Sequence, residues 1–246
     1  MKYIISFILV FLCLNSLKAQ IDTVNTQSDV LEIKQLQENQ TSYIVYIQDS
    51  IYKSNFEIWD RIISKNENTY QLHWTRHSNN KNNFHKYLIT FDKKLRTLSE
   101  KVFHQDVSEE KTLIEKKHFI YEENKMYSDS DTTQHNVLPF EINDLEYSFN
   151  WELDLEVLSA LPLEEDKQFA ISFYHPASKT PPKYYKYWVD RSEEISSNNN
   201  SMDCWVVKVI YSEYQSSEFW IDKSTHRVLQ MKEGFFGKYR FKKLIL

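Results

Sequence analysis

Two histidines on one strand, a late cysteine and a few acidic runs are the residues here with the chemistry to catalyse or to hold a metal. His73 and His77 bracket Trp74-Thr75-Arg76. On a strand they share a face but stand ~13 Å apart at ~3.3 Å per residue. Two ligands of one ion must each come within ~2.1 Å of it, so they are expected to face solvent with Gln71 and Thr75. Cys204 would need a neighbouring base to become a thiolate. The candidates, His175 and His226, are distant in sequence, and alternation with Trp205 fits a small buried hydrophobe instead. Glu109-Glu110, Glu164-Glu165-Asp166 and Glu193-Glu194 offer carboxylate pairs of the kind that hydrolyse glycosides, but all three are predicted at turns, where solvated acids are ordinary. Asp129-Ser130-Asp131 lacks the glycine and distal glutamate of a calcium loop. No catalytic residue, metal site or cofactor is assigned, and the chain is not expected to be an enzyme.

The elements that would position these groups read as strands. Apolar and polar residues alternate repeatedly after Thr41, the mark of a half-buried strand. Tyr43, Val45 and Ile47 form one row; Tyr70, Leu72 and Trp74 another; His85, Tyr87, Ile89 and Phe91 a third. Phe169, Ile171 and Phe173, then Trp205, Val207 and Val209, then Phe219 and Ile221 follow, and Tyr239 and Phe241 close the series. Short polar connections favour antiparallel neighbours. Phe219 to Leu229 and Phe91 to Leu95 are predicted as hairpins, with Asp222 and Ser224 bonding back to the backbone. Leu155, Leu158 and Leu161 have helical spacing, Asp154 can cap and Pro162 stops the chain, so a short helix is predicted over 154–161. Ser128 to Gln134 and Ser196 to Ser201 read as surface loops. Pro181-Pro182 is predicted to open an edge strand. The run Tyr184-Tyr185-Lys186-Tyr187-Trp188 behind it fits core filling, or a sugar- or lipid-facing surface.

Composition narrows the function classes. Met1-Lys2, the apolar run Tyr3 to Leu14 and Ser16-Leu17-Lys18-Ala19 have the three-part plan of a secretory signal peptide, predicted to be cut after Ala19. Removal takes Cys13 with it, and Cys204 is left without an intrachain disulfide partner. The formal charge of −5 becomes more negative once Lys2 and Lys18 leave, which excludes the basic footprint of sequence-independent nucleic-acid binding. No later apolar stretch approaches the ~20 residues of a membrane helix. Only two glycines occur, Gly234 and Gly237. Phosphate loops, dinucleotide fingerprints and nucleophile elbows need more, and in other contexts. The expected organisation is a signal peptide over 1–19, a flexible lead over 20–42 anchored by Val30, Leu31, Ile33 and Leu36 and holding one short helix, and one β domain over 43–246.

Asp154 to Leu163, Phe169 to Tyr174, Cys204 to Lys208 and above all Phe219-Trp220-Ile221-Asp222 with its polar turn and Val228-Leu229 carry a resemblance. In this order they resemble exported bacterial domains of unknown function whose fold is similar to the lipoprotein carrier LolA. The resemblance covers about Tyr43 to Leu246. It implies a mainly β chain, a single strongly curved antiparallel sheet or half-barrel with a short helix on the concave side, of a kind that often holds an acyl chain. Family strands often use glycine at bends, which this chain almost lacks. The expected function is an exported, periplasmic or secreted, non-catalytic protein that binds an apolar or lipid-like ligand. Candidate lining residues are Phe169, Ile171, Phe173, Trp205, Val207, Val209, Phe219 and Ile221. The alternative is a cell-envelope structural or interaction protein whose interior is filled by its own side chains, its protein partner unknown.

Overall fold

The computed structural model describes residues 21–36, 39–78, 84–105, 113–129, 140–197 and 200–245. The signal peptide and its cleavage bond, Glu109-Glu110, and the stretch from Ser130 to Gln134 lie outside the described residues. Strands dominate: β1 (Ile21–Val24), β2 (Asn39–Asp49), β3 (Tyr52–Asn66), β4 (Thr69–Ser78), β5 (Phe84–Asp92), β6 (Thr97–Gln105), β7 (Leu113–Glu122) and β8 (Lys125–Ser128). The short β9 (Glu141–Ile142) and β10 (Phe149–Asn150) lead into a 3-10 turn (Trp151–Leu153) and the one α-helix among the described residues, α1 (Asp154–Ser159). There follow β11 (Gln168–Tyr174), β12 (Lys183–Ser197), β13 (Asn200–Ser212), β14 (Gln215–Asp222), β15 (Val228–Phe235) and β16 (Lys238–Leu244).

All join one curved, unclosed sheet in the order β1-β11-β12-β13-β14-β15-β16-β2-β3-β4-β5-β6-β7-β8-β9, with β10 also on β11. Every pair is antiparallel except β1 and β10, which lie parallel to β11 at its free edge. With so little glycine, curvature comes from bulges, which bend a strand and strengthen its twist. Register shifts fall at Val45/Ile47, Thr90/Phe91, Val102/Phe103, Val189/Arg191, Ile210/Ser212 and Trp220/Ile221. Residues 143–148 link the two ends of the sheet. The Tyr147 carbonyl accepts from Thr26 N (2.9 Å), beside β1, and Leu145 N donates to Asn124 O (2.8 Å), beside β8. Edge groups that would otherwise invite another chain are thereby covered.

Several expectations are corrected. The lead contains β1, whose Val24 is fully buried and pairs with Ile171; a four-residue parallel strand has no local periodicity strong enough to announce it. Its anchors Val30, Leu31, Ile33 and Leu36 do pack on the core, and a 3-10 turn spans Ile33–Gln35. β12 is an interior strand between β11 and β13, not an edge, because Pro181 and Pro182 stop short of its first residue. Glu193 and Glu194 lie within β12 rather than at a turn, and β12 and β13 run into the segment predicted as a loop. The hairpins form as read: Asp222 Oδ1 accepts from Ser224 N (3.2 Å), and Asp92 Oδ1 from Lys94 N (2.8 Å).

The helix lies against the concave face and runs over Asp154–Ser159, ending just before Pro162. Six residues are too few to be helical alone. Leu155, Val157 and Leu158 hold it to the apolar core, and Glu156 meets a buried cation from the sheet. Arg61, on the same face of β3 as Trp59 and Ile63, donates from Nε (3.2 Å) and Nη2 (2.5 Å) to the Glu156 carboxylate, and from Nη2 to Glu152 O (2.9 Å). Its guanidinium lies 4.9 Å from the Trp74 ring centroid. Relative exposures of 2% for Arg61 and 5% for Glu156 put both charges away from water. Removing one partner of such a pair typically costs ~3–5 kcal/mol, whereas replacing both by apolar groups can be neutral. Glu156→Gln is therefore expected to lower unfolding free energy by about that amount, and an Arg61→Met/Glu156→Leu double variant by clearly less; urea unfolding followed by tryptophan emission measures both.

Candidate functional site

The concave face changes character along single rows of register partners. One row runs Phe169, Tyr187, Val209, Ser217, Glu233, Arg240 from β11 to β16. The next runs Val189, Val207, Phe219, Met231, Lys242. Both begin apolar and end charged. The apolar half is packed solid under α1: Phe169, Ile171, Phe173, Val207, Val209, Phe219 and Ile221 are all buried in one core, and Trp205 packs on its margin, half-buried. Lys223 Nζ lies 4.1 Å from the Trp205 ring centroid.

Open space lies beside this core, in a cleft of about 380 Å³ between the 3-10 turn and β3, β4 and β13 to β16. Of the eight candidate lining residues, Phe219 alone lines it. Its walls are the aromatic rings of Trp59, Trp74, Trp151 and Tyr211; Phe219 and Met231 adjoin them. Trp59 and Trp74 meet edge to face at 4.9 Å between centroids, and Trp151 is wedged among Phe173, Tyr185 and Tyr211. The polar lining is four cations balanced by carboxylates. Arg76 chelates Glu57 (2.9–3.1 Å) and lies over Trp59 and Trp74. Arg240 donates to Glu233 (2.9 Å), Lys242 to Asp154 (3.3 Å), and Arg61 is engaged as described. Trp74 keeps an indole N–H without an acceptor among the described residues.

Glu152 is the acid held most loosely. Its carboxylate lines the cleft 3.9 Å from His175 Nε2, its one ion-pair contact among the described residues. Burial pushes its pKa up, while the His175 imidazole and then Arg61 and Lys242 pull it back. The turn that carries Glu152 is fixed by Asn150, whose Oδ1 accepts from Glu152 N (2.9 Å) and whose Nδ2 donates to Glu100 Oε2 (2.7 Å). Tyr121 OH also donates to that oxygen (3.2 Å). Glu100 is buried on β6, and burial, reinforced by the Glu152 charge, raises its pKa to about 8. A buried acid thus ties the far half of the sheet to the segment bearing the cleft.

The remaining candidates stay apart. His73 Nε2 contacts Gln71 Oε1 (2.7 Å), and His77 lies 3.6 Å from Asp60. Among the described residues no three His, Cys, Asp or Glu gather as a metal site. Cys204 is buried on the opposite face with Val206, Trp220 and Leu229, and burial raises its thiol to about 11. Glu164, Glu165 and Asp166 are exposed. Asp129 pairs with His118 Nδ1 (2.9 Å). Of the run after Pro182, Tyr187 is buried in the core and Tyr185 packs against it, whereas Tyr184 is exposed. Among the described residues no helix is long and apolar enough to cross a membrane.

Glu100 gives the site a pH signature. Its folded pKa, about 8, lies above the ordinary glutamate value of 4.5. The stability it contributes is therefore complete below pH ~4.5 and lost as pH rises through ~8, at ~1.4 kcal/mol per unit of pKa difference; Glu152, raised in the same direction, adds to this. Melting temperature is expected to fall between pH 5 and 8, and Glu100→Gln, which keeps an acceptor for Asn150, to flatten that fall. Thermal melts at several pH values check it.

The comparisons with known proteins place the chain in a family. The family model "Protein of unknown function (DUF3108)" matches residues 68–242. No curated protein matches the chain. Solved structures similar to it include the hypothetical lipoprotein YmcC of Escherichia coli K12, at 12% identity and a TM-score of 0.30 over 85% of this chain and 89% of that one. A LolA superfamily protein, NE2245 of Nitrosomonas europaea, is similar at 10% identity and a TM-score of 0.27, over 91% and 92%. This chain belongs to the DUF3108 family of proteins of unknown function, and among the described residues its one large curved, mainly β sheet carries a single short α-helix.

Proposed function

We propose that this protein is an exported, periplasmic or secreted, non-catalytic binding protein, a single β unit over 43–246 joined by β1, and that the cleft beside α1 receives an amphipathic, lipid-like ligand. The observation that carries this reading is the cleft itself. Its ~380 Å³ falls in the ~300–1,000 Å³ range of small-molecule sites. Three indoles, Phe219 and Met231 offer an apolar wall, and Arg76, Arg240 and Lys242, the first and last laid against Trp59, offer donors for a polar head. Cations already held by carboxylates suit binding better than proton transfer. Export is supported by the basic, apolar and small-residue segments of the first nineteen residues. The six packed residues behind Phe219 serve as the rigid back wall rather than as ligand contacts, and Trp205 lies at the margin of that core.

A second reading, an envelope protein acting through a partner, is favoured by one observation: the apolar half of the concave face is filled by its own side chains. The two separate by experiment. With three indoles in the wall, titration with a lysophospholipid is expected to shift tryptophan emission, and native mass spectrometry of the exported protein to reveal a bound small molecule. Arg76→Ala, which strips the guanidinium from Trp59 and Trp74, is expected to weaken the response ~10-fold, the scale of one charge-assisted contact. Unchanged emission up to the solubility limit, with empty protein in the spectrometer and a crosslinked partner, would hand the case to the second reading.

A further inference from the structure

Three neighbouring hairpins end at the same side of the sheet with large apolar side chains in water. β2/β3 turns at Ile51, 80% exposed, with Tyr52 beside it at 76%; β13/β14 turns at Tyr214, 61%; β15/β16 turns at Phe236, 80%. The strands β13 to β16, β2 and β3 are consecutive in the sheet, so the tips form one fringe. Phe236 N donates to Tyr214 O (3.4 Å) and the two rings stack at 6.0 Å, which makes two of the tips one apolar surface.

Phe236 is also a poor choice for the fold. It has φ 45°, and Gly237 after it φ 78°. A two-residue hairpin turn with both φ values positive favours Asn-Gly or Gly-Gly, and a bulky residue there is strained. An exposed phenylalanine at this position costs stability and packs only against another exposed ring, which points to a role outside the fold.

Charge identifies what the fringe meets. On the convex face, Lys53 beside the Ile51 turn, and Lys232 and Lys243 further along β15 and β16, lie over the rings of Tyr46, Tyr239 and Phe241 at 5.0, 4.4 and 5.5 Å, and none has an ion-pair partner among the described residues. Lys243 is held below its ordinary pKa by burial and then by the Lys53 charge, so these two ammonium groups repel each other. Apolar tips backed by uncompensated lysines, on a chain of net charge −5, match the acyl region and anionic headgroups of a bilayer surface.

We propose that this end of the sheet docks on an anionic lipid bilayer, with Ile51, Tyr52, Tyr214 and Phe236 entering the interface and Lys53, Lys232 and Lys243 at the phosphates. The cleft's Gln215 is the register partner of Phe235, so docking would bring the cleft's rim toward the membrane; the docking surface itself does not depend on the cleft having a ligand.

The exported protein is expected to co-sediment with phosphatidylglycerol vesicles and far less with phosphatidylcholine vesicles. Phe236→Asn and Ile51→Asn are each expected to lower the partition coefficient ~10-fold, since one such side chain is worth ~1.5–3 kcal/mol when buried and ~1.4 kcal/mol is a factor of ten. Phe236→Asn should melt at or above the wild-type temperature, which separates lost docking from lost folding. Ile62→Asn, at a residue 42% exposed away from the fringe, should bind like wild type. Unchanged partition of the tip variants, absent binding by wild-type protein, or a dimer that Phe236→Asn dissolves would overturn the proposal, the last by making a second copy the partner. The lysophospholipid response of Phe236→Asn should stay intact, so failure of either site is read independently.

Discussion

A guanidinium sealed from water has to be answered on every side, and the concave face is organised around answering Arg61. Two carboxylate oxygens, one backbone carbonyl and one indole face surround it. All three hydrogen-bond acceptors, the two Glu156 oxygens and the Glu152 carbonyl, belong to the short helical segment, which could not be helical unaided. The pair therefore fixes where the helix sits, and the helix decides which part of the sheet is closed and which stays open. Lys242 makes the same kind of contact two residues earlier, at Asp154. Desolvation makes such pairs poor sources of net stability; what they supply is a single position for α1.

That position divides the face. On one side, Leu155, Val157 and Leu158 complete the core with the apolar residues of β11, β13 and β14. On the other, the 3-10 turn stands off the sheet and carries Trp151 and Glu152 into the cleft. Asn150 is the hinge of this arrangement because its two amide ends serve different masters, the turn's backbone and buried Glu100. Removing the cap would free the turn, and ionising Glu100 would leave a charge buried within reach of Glu152.

Much of the β architecture was legible, since a period of two is written plainly in β4, β5, β11, β13 and β14. Asp222 announced its turn, and the leucine spacing with Pro162 located the helix. The parallel strand β1 was not legible because its partner lies far along the chain, and the bend was hidden because bulges, unlike glycines, leave no residue-type signature. The site was missed for a different reason. In β3 the charged Arg61 faces in and Ile62 faces out at 42% exposure. In β16 Lys242 is buried, while Tyr239 is exposed on the other face. Hydrophobicity read residue by residue misplaces Arg61 and Ile62 in β3 and assigns β16 backwards. The available signal was positional: Arg61 alternates with Trp59 and Ile63, and Arg240 with Lys242, so each row was recognisable as a unit even though its direction was not.

These two inversions have one physical consequence on each side of the sheet. Turning cations inward requires carboxylates to meet them, and the resulting paired charges keep the cleft wet and open where apolar side chains would have collapsed it. Turning aromatics outward leaves Tyr46, Tyr239 and Phe241 on the convex face with lysines laid across them. A sequence optimised only to bury apolar surface would exchange the two sets and gain stability by doing so. Strand β16 contributes to both surfaces, with Arg240 and Lys242 in the cleft and Tyr239 and Phe241 outside, and it begins at the Phe236 turn. The strand least well explained by folding alone is thus the one shared by the cleft and the exposed fringe.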